Sequence, residues 1–329
     1  MTQADRPSSG FDGSIKGGHG NAGAGTPALN EDSAAGFSMA LLAYFMWGFL
    51  PLYMKAVAHI APLEVLSHRV LWSLPFAGIV LLVMRRTADL KAALRSPRTL
   101  LMACLTAVLI SINWGTYVWA IGAGRALDTA LGYFINPLFS IFLASVLLKE
   151  RLRRTQMVAI GLAALAVVIL TVEAGSLPWV SLILTFSWGF YAFFRKTLPV
   201  GPNQGFFLEV MLLSIPAAMI VGYLEWTGSG HFSNGSSSDI ALLILSGAIT
   251  AGPLMIYANA AKRLRLSTIG IMQYIAPTMI FLIAVFVFHE PFGTARMIAF
   301  PLIWAALFVY SWPMITDILR RRRAAAAKA

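Results

Sequence analysis

The residues that could do chemistry in this chain are ionisable side chains inside long apolar segments. Glu64, His68 and Arg69 lie near the start of one such segment, and Glu64 and His68 are four residues apart and share a helix face. Glu209 lies in another segment. Ionisable groups inside a membrane indicate a functional site by default, and a buried carboxylate or an imidazole can exchange protons near neutral pH. Glu209 and His68 are therefore candidates for proton coupling.

These residues also have purely structural interpretations. The cluster of Glu64, His68 and Arg69 could lie at the outer membrane interface, with its side chains among lipid headgroups. Glu209 could form an ion pair with a nearby base such as Arg195 or Lys196. Both interpretations stay open on the sequence.

A second group of candidates surrounds two prolines. Pro137 and Pro277 interrupt apolar segments, and the carbonyl that such a proline frees is tolerated where it lines a cavity. Corresponding breaks in two halves of a chain point to a central site, and aromatic walls with a few amides suit a small amphipathic solute. The predicted cavity residues are His68, Arg69, Asn113, Trp114, Tyr117, Tyr133, Asn136, Glu209, Tyr257, Asn259, Gln273 and Tyr274.

Signatures of enzymes are absent from the sequence. It contains no HExxH, GxSxG or Walker motif. Cys104 is the only cysteine, and the five histidines show no metal-ligand spacing. We therefore expect no enzymatic activity, no cofactor and no metal.

The elements that position these residues are membrane helices. Only 12% of the 329 residues are charged and 58% are hydrophobic, whereas about 25% charged residues is typical of soluble proteins. A membrane-spanning helix needs about 20 apolar residues. Ten spans are predicted, at 37–57, 62–84, 99–121, 127–148, 155–173, 178–195, 204–225, 239–260, 266–288 and 295–316. A Gly-rich tail at 1–36 is predicted to be disordered, and 317–329 is predicted to be a basic cytoplasmic tail.

An internal repeat divides the spans into two halves. The Trp-Gly-Phe motif at 47–49 recurs at 188–190, a shift of 141, and Pro137 recurs as Pro277, a shift of 140. Repeats are therefore predicted at 37–174 and 175–316, each with five helices. Because five is odd, the second repeat enters the membrane inverted, as in many secondary transporters. The glycine of each motif is predicted to mark a close helix contact.

The net charge of +11 comes from basic residues whose positions reflect the membrane topology. Basic residues cluster in alternate loops and at the C-terminus, which predicts that both termini are cytoplasmic. The run 320–323 is expected to contact anionic lipid, and we expect no nucleic-acid partner.

Four stretches resemble one family closely. They are AYFMWGFLPLYMKA (43–56), EVLSHRVLWS (64–73), GYFINPL (132–138) and RLRLSTIGIMQYIAPT (263–278). They resemble the RarD branch of the EamA family, in the drug/metabolite transporter superfamily, and the resemblance extends from Phe37 to Asp317. It implies an all-α transmembrane fold of ten helices in two inverted five-helix repeats, in the bacterial inner membrane, and it includes the His-Arg motif at 68–69.

The resemblance implies a secondary transporter working by alternating access. Better-studied EamA relatives move amino acids and similar metabolites, mostly outward, so an exporter of an amino-acid-like solute is the first expectation. Efflux of chloramphenicol-like drugs, to which the family name refers, is an alternative. A lipid-translocating or membrane-assembly protein is an alternative of another class. The expected partners are a small-molecule solute and membrane lipid, and a homodimer is left open.

Overall fold

The computed structural model of the chain describes residues 33–83, 87–147, 154–261, 263–264, 268–269 and 272–326. In these residues the secondary structure is helical. Twelve helices are described: α1 (Ala34–Ala56), α2 (Pro62–Val83), α3 (Thr87–Leu94), α4 (Pro97–Gly122), α5 (Ala126–Leu147), α6 (Arg154–Ala174), α7 (Trp179–Thr197), α8 (Pro202–Trp226), α9 (His231–Asn234), α10 (Ser237–Ala261), α11 (Ile275–Phe286) and α12 (Thr294–Ala326).

The two ends of the helical region differ from the predicted ends. Residues 1–32 of the predicted tail lie outside the described residues, and α1 begins at Ala34. Ser33 caps this helix, since its Oγ accepts the Gly36 N–H at 3.0 Å. At the other end α12 continues to Ala326, past the predicted boundary at 316, because arginine and alanine favour helix. Much of the predicted 317–329 tail is therefore helical.

Eight of the described helices are long and apolar enough to cross a membrane: α1, α2, α4, α5, α6, α8, α10 and α12. Helix α7 occupies the predicted sixth span and ends at Thr197, just after the basic pair at 195–196. Helix α11 covers only part of the predicted ninth span, because the chain turns at Gln273 and Tyr274 before it. Large apolar side chains such as Leu101, Val172 and Trp226 are exposed around the bundle, as expected for a lipid-facing surface.

The helix contacts repeat between the two halves of the chain. Helix α1 packs on α10 and α11, and its counterpart α7 packs on α4 and α5. In the same way α2 packs on α10, and α8 packs on α4. The counterparts α2 and α8, α5 and α11, and α6 and α12 pack on each other. This exchange of partners is what two repeats related by a two-fold axis predict.

The repeated Trp-Gly motifs lie at two of these contacts. A Cβ built on Gly48 would lie 2.5 Å from Sδ of Met279, and one built on Gly189 would overlap the ring of Phe139. Met279 and Phe139 are themselves 140 residues apart. Each glycine therefore allows the first helix of its repeat to approach the proline-containing helix of the other repeat.

Candidate binding cavity

A cavity of about 160 Å³ lies between helices of both halves. Its walls come from α1, α2, α4 and α5 of the first half and from α7, α10 and α11 of the second. The lining residues are Tyr44, Trp47, Leu50, Arg69, Asn113, Trp114, Tyr117, Tyr133, Asn136, Trp188, Ile249, Thr250, Leu254, Tyr257, Gln273, Ala276, Pro277 and Ile280.

Eight of the twelve cavity residues predicted from the sequence line this cavity. They are Arg69, Asn113, Trp114, Tyr117, Tyr133, Asn136, Tyr257 and Gln273. Of the two prolines, Pro277 lines the cavity, and it lies in the first turn of α11, where a missing N–H is tolerated. Pro137 lies inside the continuous helix α5 and is not part of the lining.

Arg69 is the charged residue of the lining, and its side chain is held in place from two sides. Its Nε donates to Oγ1 of Thr250 at 3.0 Å, and that hydroxyl in turn donates to the Ser246 carbonyl at 2.7 Å. Its Cζ lies 5.1 Å from the ring centroid of Trp114, a cation–π arrangement. Nη1 is buried and has no hydrogen-bond partner in the described part of the chain.

Asn113 joins three helices beside Arg69. Its Nδ2 donates to the Leu184 carbonyl at 3.1 Å and to Oγ of Ser187 at 3.0 Å, both on α7. Its Oδ1 accepts the hydroxyl of Tyr133, on α5, at 3.1 Å. Asn113 thus uses its amide to fix α4 against α7 and α5.

Two other polar groups of the lining are buried without a partner among the described residues. They are the Tyr117 hydroxyl and the Asn136 Oδ1. Buried polar groups are normally hydrogen-bonded, so these two groups are available to hydrogen-bond a solute or a water molecule.

The comparisons with known proteins agree with this architecture. The EamA-like transporter family matches residues 34–172. Protein RarD of Streptomyces exfoliatus is 39% identical over 283 residues, covering 85% of this chain and 89% of that relative. Protein RarD of Escherichia coli is 39% identical over 280 residues, covering 85% and 95%. The chain belongs to the RarD branch of the EamA family.

Two further comparisons extend this assignment. The chloramphenicol-sensitive protein RarD of Pseudomonas aeruginosa is 28% identical over 285 residues, covering 85% of this chain and 94% of the relative. A solved crystal structure shares the fold with a TM-score of 0.53 at 18% identity, covering 87% of this chain and 99% of the other. As an EamA-family transporter with bacterial relatives and several apolar helices, this RarD homologue is a multi-pass protein of the bacterial inner membrane.

Four predicted cavity residues of this RarD homologue lie outside the lining. Asn259 donates its Nδ2 to the Met255 carbonyl of its own helix at 2.9 Å, and Tyr274 packs against the apolar core. His68 lies on a different face of α2 from Arg69, because successive helical residues point about 100° apart. The fourth, Glu209, is held in an ion pair.

Glu209 has the partners that its structural interpretation predicted. Nη1 of Arg195 lies 3.0 Å from its Oε1, and the Tyr191 hydroxyl donates to Oε2 at 3.1 Å. Arg195 also donates from Nη2 to the Pro202 carbonyl at 2.5 Å. Tyr191 contacts Trp188 of the cavity wall, with ring centroids 5.6 Å apart, so Glu209 lies one side chain behind the lining.

His68 and Glu64 both contact the connection between α8 and α10. The His68 ring stacks on Phe232 with centroids 5.1 Å apart. Glu64 is buried, and its Oε1 accepts the backbone N–H of His231 at 2.6 Å while Oε2 lies 2.9 Å from Nδ1 of the same histidine. The interpretation that places Glu64 among lipid headgroups is therefore wrong for its side chain, because the short helix α9 covers it.

Proposed function

We propose that this RarD homologue is a secondary transporter that exports a small amino-acid-like metabolite by alternating access. The observation that carries the proposal is the buried Arg69 guanidinium in the wall of a cavity shared by both halves of the chain. A carboxylate is the group that an arginine fork binds with two parallel hydrogen bonds. Two similar halves around one site can form two similar packings, each open to one side of the membrane.

The size of the cavity supports a small metabolite over a drug. Its volume of about 160 Å³ is below the range of about 300–1,000 Å³ that is typical for drug-sized ligands. Efflux of chloramphenicol-like drugs is the second candidate, favoured by the name of the Pseudomonas aeruginosa relative, chloramphenicol-sensitive protein RarD. Lipid translocation is the third, and it would need a headgroup pocket open to lipid, whereas Arg69 is only 3% exposed.

The proposal includes proton coupling. His68 is the first candidate for the residue that carries the proton, and Glu209 is the second. Both ring nitrogens of His68 are buried without a hydrogen-bond partner in the described structure, and His68 directly precedes Arg69 in the sequence. Glu209 already has Arg195 as its counter-ion. Transport by proteoliposomes under an imposed pH gradient tests this part, and gradient-driven transport that survives both His68→Gln and Glu209→Gln removes it.

Two further parts of the proposal concern the membrane. The alternating basic loops support a cytoplasmic location of both termini, and the basic C-terminal run is proposed to bind anionic lipid. The proposal also includes assembly into a homodimer. Reporter fusions at each terminus test the orientation, and mass measurement of the protein in lipid nanodiscs tests the dimer.

The experiment for the transport proposal combines binding with counterflow. The purified protein is screened for thermal stabilisation by amino acids, nucleobases, organic acids and chloramphenicol, since a ligand of the folded state raises its apparent stability. Each hit is then tested for counterflow in proteoliposomes. Asn136→Ala is expected to weaken the binding of a true substrate. The matched control Asn259→Ala, at a residue outside the lining, is expected to leave that binding unchanged. Hits that bind without counterflow contradict the transporter, and stabilisation by particular lipids alone favours lipid handling.

A further inference from the structure

The charges of the cavity wall are unbalanced. Among the eighteen described lining residues, Arg69 is the one with a formal charge, and the lining includes no Asp or Glu. None of the salt bridges in the described part of the chain includes Arg69. A buried charge is normally paired. A solute with one negative charge therefore neutralises the cavity, whereas a zwitterion leaves it with a net positive charge.

The orientation of Arg69 leaves part of its fork for the solute. Nε is used by Thr250, and the face of the guanidinium lies on Trp114. Nη1 is buried and unpartnered in the described structure. Tyr117 lines the same cavity, and its buried hydroxyl, which has no partner among the described residues, can donate to an anion there.

The unused acceptor of the wall is neutral. Asn136 belongs to the cavity wall, and its buried Oδ1 has no donor among the described residues, so it can accept an O–H or N–H from the solute. An ammonium group would be desolvated here without a carboxylate in the described lining to face it, which is costly. A hydroxyl group meets the need of Asn136 without adding a charge.

Aromatic rings form another part of the wall. Tyr44, Trp47 and Tyr257 contact one another in all three pairs, with centroids 5.4–5.7 Å apart. Ring faces and edges of this kind favour an aromatic solute. The volume admits one aromatic ring, since an apolar cavity of about 150 Å³ holds benzene and this cavity measures about 160 Å³.

We infer that the solute is a small aromatic monocarboxylate with a neutral hydrogen-bond donor, such as a hydroxyl, and without an ammonium group. This inference rests on the proposed transport function and narrows its substrate class from amino-acid-like solutes to the corresponding hydroxy acids. Arg69 binds the carboxylate, Asn136 accepts the hydroxyl, and the aromatic wall contacts the ring.

The test is a series of four compounds that differ by one group. They are mandelate, phenylglycine (an ammonium in place of the hydroxyl), phenylacetate (no donor) and mandelamide (a neutral amide in place of the carboxylate). Their dissociation constants are measured by tryptophan fluorescence and thermal shift on the full-length protein in detergent. A second pair with a longer linker, phenyllactate and phenylalanine, is run alongside. We expect mandelate to bind at least tenfold more tightly than phenylglycine, and phenyllactate at least tenfold more tightly than phenylalanine. We also expect mandelate to bind at least tenfold more tightly than mandelamide.

Variants tie each preference to its residue. Arg69→Gln is expected to remove the advantage of mandelate over mandelamide, and Asn136→Ala to remove its advantage over phenylacetate. Arg296→Gln is the control, because Arg296 lies outside the lining in an ion pair with Asp128. Amino acids that bind as tightly as the hydroxy acids, dependent on Arg69, overturn this inference and support the transport proposal. Absence of binding by every acid in the series also overturns the inference, while the counterflow screen still judges transport separately.

Discussion

The guanidinium of Arg69 lies over the indole ring of Trp114, with Cζ 5.1 Å from the ring centroid. This contact and the hydrogen bond to Thr250 fix a buried positive charge that has no carboxylate partner in the described structure. An unpaired buried charge stabilises a folded protein poorly. Its position in a cavity wall therefore indicates a role in binding, and the role can be separated from stability.

Arg69→Met is expected to leave the melting temperature of the ligand-free protein unchanged or higher, because it removes a desolvated charge. The same variant is expected to lose stabilisation by carboxylate ligands. Arg195→Met is the matched control, since it leaves Glu209 buried without its counter-ion and is expected to cost about 3–5 kcal/mol. Thermal unfolding in detergent measures both. A large drop for Arg69→Met would assign Arg69 a structural role instead.

Gly189→Ala is expected to destabilise the protein by about 1–3 kcal/mol through overpacking. The added methyl group meets the ring of Phe139, and in Gly48→Ala it meets both the Sδ and the Cβ of Met279, the Cβ at 2.7 Å. We therefore expect Gly48→Ala to be destabilising as well, because the Met279 Cβ moves only with its backbone. Gly161→Ala is the control, because among the described residues its added Cβ has no neighbour within 4 Å apart from its own helical turn. Equal melting temperatures for all three variants would contradict the close helix contacts.

Asn113→Ala and Tyr133→Phe are expected to be coupled. Each change breaks the hydrogen bond between the two side chains, so the double variant should lose less stability than the sum, by about 0.5–3 kcal/mol. Tyr53→Phe is the comparison, because the Tyr53 hydroxyl donates to the Leu242 carbonyl and shares no partner with Asn113. The cycles are measured by SDS-induced unfolding in mixed micelles. Additive effects for Asn113 and Tyr133 would show that their bond contributes nothing in the membrane.

Glu64→Ala is expected to release helix α9 from α2. The carboxylate accepts the backbone N–H of His231 and contacts its ring nitrogen, so its loss should raise hydrogen exchange over residues 227–236. Glu173→Ala, a change at an exposed residue of α6, should leave this segment unaffected. Hydrogen–deuterium exchange by mass spectrometry compares the two variants. Unchanged protection in Glu64→Ala would mean that other contacts, such as His68 with Phe232, hold the segment.

Several helices could be predicted from the sequence because membrane spans are long and uniformly apolar. The predicted span 62–84 is observed as Pro62–Val83, and 155–173 as Arg154–Ala174. Glycine positions in the repeated Trp-Gly motif also indicated close helix contacts, which the structure shows at Met279 and Phe139. The short helices α3 and α9 were not predicted, because a short segment in a loop carries too weak a hydropathy signal.

Composition, hydropathy and the repeat were enough to determine a polytopic helical protein in two halves, and the quoted motifs were enough for its family. These properties depend on the chemistry of each segment and on the spacing along the chain. The tertiary structure alone decided which side of each helix faces the cavity. It separated Arg69, in the wall, from His68, which stacks on Phe232, and it brought Trp47, Trp188 and Thr250 into the lining. Rotation of a membrane helix is set by its neighbours, and a nearly uniform apolar sequence does not encode it.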